Sequence, residues 1–142
     1  MSVPVIAGLA SGIALVIIFS SFSTSSPEHG SRKISVVVIP EGASLESNPP
    51  FFVPDVIKVK IGVNNTVRWL SEDTVPHGLN SDTGYVDPVS GPLNSFEQQE
   101  QVPGGFIREG QAFEFTFTEP GEFGYHGEPH PWMHGTVIVL PP

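Results

Sequence analysis

Apolar and polar residues alternate along the chain after position 33, which is the pattern of β-strands with one buried face. In residues 57–61 aliphatic side chains alternate with lysines, and in residues 113–118 phenylalanines alternate with glutamate and threonine. Further runs of this kind cover residues 34–39, 66–70 and 136–140. This region has no helical periodicity. The alternation predicts two sheets packed face to face, an all-β Greek-key sandwich.

Residues 81–101 interrupt the alternation and are mostly polar. This polar composition predicts a loop insertion. The sequence of the insertion is also compatible with a short helix or an edge strand. The 15 glycines and 15 prolines of the chain separate the strand-like runs and form no low-complexity tract. Many turns between short strands explain this distribution.

The N-terminal part of the chain carries its one long apolar run, residues 3–22. About 20 apolar residues are enough to span a bilayer as a helix. A cleaved signal peptide is the alternative, because the apolar centre, residues 5–19, is short and small residues follow it. We therefore interpret residues 1–24 as a membrane anchor or signal segment, residues 25–33 as a flexible tether, and residues 34–142 as one folded domain.

Charge and composition exclude several classes of function. The net charge is −9, with no basic cluster to neutralise phosphates, so nucleic acid is not an expected partner. The chain of 142 residues contains no cysteine, which removes disulfides and every metal site that uses a thiolate. No acid/base pair or nucleophile constellation is evident, and we therefore predict that the protein is not an enzyme.

The candidate chemistry lies in two loops. A proline-rich loop just before the last predicted strand presents His130 and Met133, and an imidazole and a thioether at this spacing suit a copper ion. Zinc also accepts imidazole, but the thioether favours copper. His77 lies in the loop that follows the strand 66–70.

The proline-rich loop resembles the ligand loop of the cupredoxins, especially of their plastocyanin and amicyanin branch. In that family the loop runs Cys-x-Pro-His-Pro-x-Met and is closed by a glycine and a Val-rich strand. The matching residues are Pro129, His130, Pro131, Met133 and Gly135. Residues 52–59 and 65–69 are similar to the family's F-x-P-x-x-I-x-V and T-V-x-W strands. The resemblance implies the cupredoxin fold, copper as cofactor and an extracytoplasmic location.

The resemblance also implies a ligand set of His77, His130 and Met133. Gly127 stands where the family carries its cysteine ligand. Strand alternation from Phe123 and Tyr125 makes residue 127 point inward, so its missing side chain should leave a gap beside the metal. Candidates for an additional ligand are His126, Glu128 and His134, although His126 has the opposite strand parity and the other two are typical solvated residues.

The missing thiolate changes the expected function. Thiolate covalency gives blue copper its colour and tuned potential, so this site should be pale and slow in electron transfer. We predict a membrane-tethered copper protein that handles copper or supports a copper-dependent redox system. One alternative is a plastocyanin-like electron carrier whose partners dock around Pro129, Pro131 and Trp132, and another is a metal-free interaction module. Anchored cupredoxins with a variable cysteine are typical of archaea.

Overall fold

The computed structural model describes residue 2, residues 17–18 and residues 31–142. The proposed membrane segment and most of the tether therefore lie outside the described residues. Within the described part of the chain, no helix has the length and apolar character needed to cross a bilayer.

Residues 31–142 form nine strands joined by turns and two short 3-10 helices. The strands are β1 (Ile34–Ile39), β2 (Val56–Lys60), β3 (Thr66–Ser71), β4 (Gly78–Ser81), β5 (Val86–Asp87), β6 (Gly91–Pro92), β7 (Ala112–Thr116), β8 (Gly121–Glu128) and β9 (His134–Leu140). The 3-10 helices are Ser95–Glu97 and Pro103–Gly105. Each strand-like run of the sequence corresponds to one of these strands within two residues at either end, which confirms the all-β prediction for this region.

The strands form two main sheets that pack into a sandwich. One has the order β1-β3-β7 and the other the order β2-β9-β8-β4, while β5 and β6 make a small separate hairpin. Two pairs are parallel, β1 with β3 and β2 with β9, and the other pairs are antiparallel. Alternation in the sequence predicts which face of a strand is buried, but it does not indicate the direction of the neighbouring strand.

Aromatic side chains from both sheets meet in the core. Trp69 on β3 stacks on Phe113 of β7, with ring centroids 5.7 Å apart, and meets Tyr125 of β8 edge to face at 5.2 Å. Phe52 also meets Tyr125 edge to face, with ring centroids 4.9 Å apart. All four side chains are buried. Each contributes roughly 1.5–3 kcal/mol through its burial, so these contacts hold the sheets in a fixed relation.

The insertion at 81–101 is more ordered than a plain loop. It contains β5, β6 and the first 3-10 helix. Buried Asp87 anchors it by accepting hydrogen bonds from the backbone N–H and the hydroxyl of Thr118, at 2.7 and 2.8 Å. The Gln101 side chain donates to the carbonyl of Glu114 and accepts from its N–H, so it pairs with the free edge of β7 as a strand would. Such cover protects an edge strand from pairing with other chains.

The second sheet brings the two candidate loops to one end of the sandwich. β4 begins at Gly78, which is paired with Glu128 at the end of β8. β9 begins at His134, which is paired with His126. The loop before β4 and the loop between β8 and β9 are therefore adjacent, so His77 and His130 are placed side by side.

Candidate metal centre

His77 is held rigidly by its backbone and by its burial. It directly precedes β4, and its side chain is 0% exposed. Its N–H donates to the carbonyl of Ile107 at 3.1 Å, and the N–H of Ile107 donates back to the His77 carbonyl at 2.8 Å. This two-way bridge fixes the backbone, so little conformational entropy remains to be lost when the side chain binds a ligand.

Asp73 orients the His77 imidazole. The Asp73 carboxylate is buried and lies 2.7 Å from His77 Nε2. It also accepts hydrogen bonds from the N–H groups of Gly42, Ser44 and Val75, each at 3.3 Å. Burial by itself raises the pKa of Asp73, but the hydrogen bonds from His77 and the backbone outweigh it and hold the pKa below its usual value. The carboxylate is therefore charged.

A charged Asp73 fixes the tautomer of His77. Because the carboxylate only accepts hydrogen bonds, Nε2 of His77 carries the proton and donates it. Nδ1 then keeps a free lone pair. A histidine that donates one ring N–H to a carboxylate while its other nitrogen is free is the usual arrangement of a metal-ligating imidazole.

His130 faces that free nitrogen. Its Nδ1 lies 3.2 Å from Nδ1 of His77, and the ring planes are inclined by 60°. Two imidazole nitrogens that bind one ion at about 2.0–2.1 Å are roughly 3 Å apart when they occupy neighbouring corners of its coordination shell. The pair therefore fits a single ion.

His130 is also in the protonation state that metal binding requires. Partial burial lowers its pKa, and the nearby His77 lowers it further, although the Asp73 charge acts in the opposite direction. The net effect is a pKa below the ordinary value for histidine, so the imidazole is neutral at neutral pH.

This pKa shift predicts a pH dependence in the metal-free protein. The unfolded chain takes up a proton at His130 near pH 6.5, whereas the folded protein takes it up only at a lower pH. Stability should therefore fall as the pH drops from about 6.5 to the folded pKa of His130. Urea unfolding at pH 7.5 and 5.5 should show a smaller loss for His130→Gln than for the wild type. An equal loss in both proteins would contradict the shift.

Met133 and Gly127 close the loop that carries His130. The Met133 N–H donates to the His130 carbonyl at 3.0 Å, and the Met133 carbonyl accepts from the Gly127 N–H at 3.0 Å. Met133 is 0% exposed and Gly127 is buried, so both lie on the inner side of the sheet. The inward direction expected for residue 127 agrees with this placement.

The gap expected beside Gly127 is filled. A Cβ atom added at Gly127 would lie 3.1 Å from Sδ and 3.1 Å from Cβ of Met133. The prediction of an empty space was therefore wrong, because the flexible thioether side chain packs into the volume that residue 127 leaves. The Met133 side chain is consequently packed against β8 at Gly127.

The three additional ligand candidates do not join this pair. His126 lies on the outer face of β8, where Nδ1 is 2.7 Å from Asp82 Oδ1 and Nε2 is 3.3 Å from Glu128 Oε1. His134 is exposed and opposes His126 on β9. Glu128 also accepts a hydrogen bond from Asn80 at 3.1 Å. These contacts make a polar cluster on the solvent side of the sheet.

The donor set that the structure assembles is small. Among residues 31–142, no group of three or more His, Cys, Asp and Glu is arranged to hold a metal ion. The structure brings two imidazoles together, and the loop that carries His130 also carries the buried thioether of Met133; imidazole and thioether donors suit copper better than a hard cation. The residues present therefore fit a copper ion.

An apolar groove opens beside His130. Its volume is about 400 Å³, and its lining residues come from three separate loops: Val75, Pro76, Phe106, Arg108, Pro129 and His130. Trp132 is half-buried next to it, with its ring centroid 5.3 Å from that of His130. The exposed edge of the candidate centre is therefore surrounded by apolar side chains and one arginine.

The described residues form a small β-sandwich protein with two neighbouring imidazoles at one end. Residues 43–140 match the family model of the copper-binding proteins of the plastocyanin/azurin family. The chain is 28% identical to amicyanin from Paracoccus denitrificans over an alignment of 113 residues, and the match covers 68% of this chain and 78% of that protein. The chain belongs to the plastocyanin/azurin family, the cupredoxins, and copper is its cofactor.

Solved cupredoxin structures are also similar to this chain. A purple cupredoxin from Nitrosopumilus maritimus has 29% identity and a TM-score of 0.57, covering 75% of this chain and 99% of that one. The reduced Cu(I) form at pH 4 of an amicyanin variant has 28% identity and a TM-score of 0.51, covering 75% and 82%. These similarities confirm the fold and the family expected from the ligand loop.

Proposed function

We propose that this protein binds one copper ion through His77, His130 and Met133. The observation that carries this assignment is the pair of Nδ1 atoms 3.2 Å apart, one of them freed by the Asp73 hydrogen bond on the opposite side of its ring. Three side chains from two adjacent loops then supply all the donors. A site that is set by a rigid sandwich loses little entropy on binding.

We further propose that the site serves copper handling, or supports a copper-dependent redox system, on the extracytoplasmic side of a membrane. The absence of cysteine supports this role, because the chain lacks the thiolate on which the tuned potential of a blue copper centre depends. The apolar run at residues 3–22 supports tethering to a membrane.

Electron transfer is the second candidate, and the groove beside His130 favours it. Apolar side chains that surround an exposed ligand edge are suited to brief contact with another protein. Pro129 and His130 line this groove, and Trp132 lies beside it. Rapid, reversible reduction with fast self-exchange would identify an electron carrier, whereas slow exchange is expected for copper handling. A metal-free module would contain no copper after loading and washing.

The ligand assignment is tested by removing one histidine at a time. We expect the full-length protein to bind one Cu(II) with a pale, type-2-like electron paramagnetic resonance spectrum, and His130→Ala or His77→Ala to lose tight binding. Metal analysis after dialysis measures the stoichiometry. His126→Ala and His134→Ala are the matched controls, since both residues lie on the outer face, and they should keep one copper. Full occupancy in His130→Ala would show that the site is misassigned.

A further inference from the structure

Basic and acidic side chains are divided unevenly along the sandwich domain. Residues 31–68 carry five basic and three acidic side chains, whereas residues 69–142 carry one basic and eleven acidic ones. Of the five basic residues, Arg68 is paired with Glu114. Within the part of the chain that the structure describes, no ion pair holds the other four, which are Arg32, Lys33, Lys58 and Lys60. An acidic protein therefore presents a small group of cations without carboxylate partners among these residues.

Backbone hydrogen bonds bring these cations together. The Val63 N–H donates to the Lys60 carbonyl at 3.1 Å, and the Val63 carbonyl accepts from the Lys33 N–H at 3.2 Å. The turn that follows β2 is therefore joined to the residue that precedes β1. A groove of about 230 Å³ lies at this junction, and its lining residues are Ser31, Arg32, Lys33, Gly62 and Val63.

Apolar side chains are exposed beside the cations. Ile34 and Val36 on β1, Val63 in the turn and Leu140 at the end of β9 are each between 40% and 48% exposed. We call these four residues, together with Arg32, Lys33, Lys58 and Lys60, the basic pole. The headgroup region of an anionic bilayer attracts such cations and accepts such apolar side chains.

The basic pole lies at the opposite end of the sandwich from His77 and His130. β9 begins at His134, beside the loop that carries His130, and ends at Leu140, which is the register partner of Lys60. The seven residues of β9 span roughly 20 Å. β1 likewise begins at the basic pole and runs parallel to β3, which leads toward the loop before β4.

The nearest carboxylates lie on the other side of this end or at the far end. Glu119 accepts a hydrogen bond from the Tyr85 hydroxyl at 3.0 Å, and Glu122 lies on β8, which β9 separates from β2. Glu41 follows β1 and Asp55 precedes β2, so both lie where these strands point away from the basic pole. The cations therefore face a partner on a surface that is not neutralised by the rest of the chain described.

We propose that the basic pole docks on the surface of an anionic lipid bilayer and holds the candidate metal centre away from it. This inference rests on the proposed membrane tether, and it adds the lipid class and the orientation of the domain. Residues 23–33, between the apolar run and β1, reach at most about 40 Å when fully extended. Because β1 begins at the basic pole, this link brings the pole closest to the membrane. The groove at Arg32 and Lys33 then receives a lipid phosphate.

The docking is measured with one fluorescent label on the full-length protein, because a chain without cysteine accepts a single, unambiguous thiol. Val63→Cys carries the label at the basic pole, and Leu45→Cys carries it in the exposed loop after β1, near the metal end. The labelled protein is reconstituted into vesicles of phosphatidylcholine alone, or of phosphatidylcholine mixed with phosphatidylglycerol. Quenching by a headgroup-attached quencher reports the distance of each label from the bilayer.

We expect the Val63 label to be quenched strongly in anionic vesicles and weakly in neutral ones, and the Leu45 label to be quenched weakly in both. Lys60→Glu should lower the ratio of docked to undocked protein about fivefold or more. Arg108→Glu is the matched control, because it makes the same change of charge beside the groove at the metal end, and it should leave the ratio unchanged. Salt at about 1 M shortens the screening length to about 3 Å and should release the basic pole.

Sedimentation of the vesicles distinguishes this inference from the tether. If the protein stays with the vesicles in high salt while the Val63 label is quenched equally in both lipid mixtures, the tether stands and the docking surface is wrong. If the protein leaves them in high salt but binds anionic vesicles in low salt, and Lys60→Glu weakens this binding, the tether is wrong and the docking surface stands. Equal quenching at Leu45 and Val63 would overturn the orientation, and binding to neither vesicle would overturn both proposals.

Discussion

Replacing Gly127 with cysteine should turn the Cu(II)-loaded protein from nearly colourless to intensely blue, green or purple. Gly127 is buried on the inner face of β8, and the direction of its missing Cβ leads to Met133. A thiolate at this position would be added to the proposed ligands His77, His130 and Met133. A thiolate, two imidazoles and a thioether are the ligand set of blue copper sites. Charge transfer from thiolate to Cu(II) then produces the strong absorption.

The fold should tolerate this substitution. Gly127 does not have a positive φ angle, so a side chain causes no backbone strain. Met133 must yield by a few tenths of an ångström, and its flexible thioether can do so. Gly124→Cys places a thiol on the outer face of the same strand and serves as control. A folded Gly127→Cys protein that binds copper without an intense visible band would contradict the inward direction of residue 127.

The sequence predicts most of this fold because alternation is a local property. The runs at β1, β2, β3 and β7 could be recognised one strand at a time, and Val67 and Trp69 are indeed buried together. The parallel pairing of β1 with β3 depends on contacts between distant segments. The order in the insertion likewise depends on the bonds between Asp87 and Thr118, which no local pattern reveals.

The candidate site was predictable only in part, because some of its contacts join segments that are distant in the sequence. The loop motif indicates His130 and Met133, and strand parity indicates that His126 points outward, as the structure places it. Asp73 was missed. Its role requires the N–H groups of Gly42 and Ser44, about thirty residues earlier, to converge on its carboxylate. The only local signal is an aspartate four residues before the histidine.

The packing of Met133 into the space beside Gly127 was missed for a different reason. Side-chain volume removed at one residue predicts a cavity only when the surroundings keep their positions. A neighbouring methionine is the residue most able to fill such a space. Contact between Gly127 and Met133 depends on the closed loop, which brings the two residues together through the Gly127 N–H and the Met133 carbonyl.

Asp73→Asn should weaken copper binding about ten- to hundredfold, the usual effect of losing a carboxylate that orients a ligand histidine. The Oδ1 atom of Asp73 accepts from two backbone N–H groups, Gly42 and Val75, whereas Oδ2 faces Ser44 and the His77 ring. The asparagine oxygen is best placed at the Oδ1 position, which turns its NH₂ group toward His77. The imidazole must then accept at Nε2 and carry its proton on Nδ1, where the metal should bind.

The same substitution should lower the free energy of unfolding by about 0.5–1.5 kcal/mol, since the N–H of half-buried Ser44 loses its acceptor. Asp82→Asn is the matched control, because Asp82 also lies 2.7 Å from a histidine nitrogen, that of His126, but on the outer face. Copper competition titrations and urea unfolding measure both effects, and the control should leave copper affinity unchanged. If Asp73→Asn matches Asp82→Asn in copper affinity, the Asp73 hydrogen bond does not set the tautomer of His77.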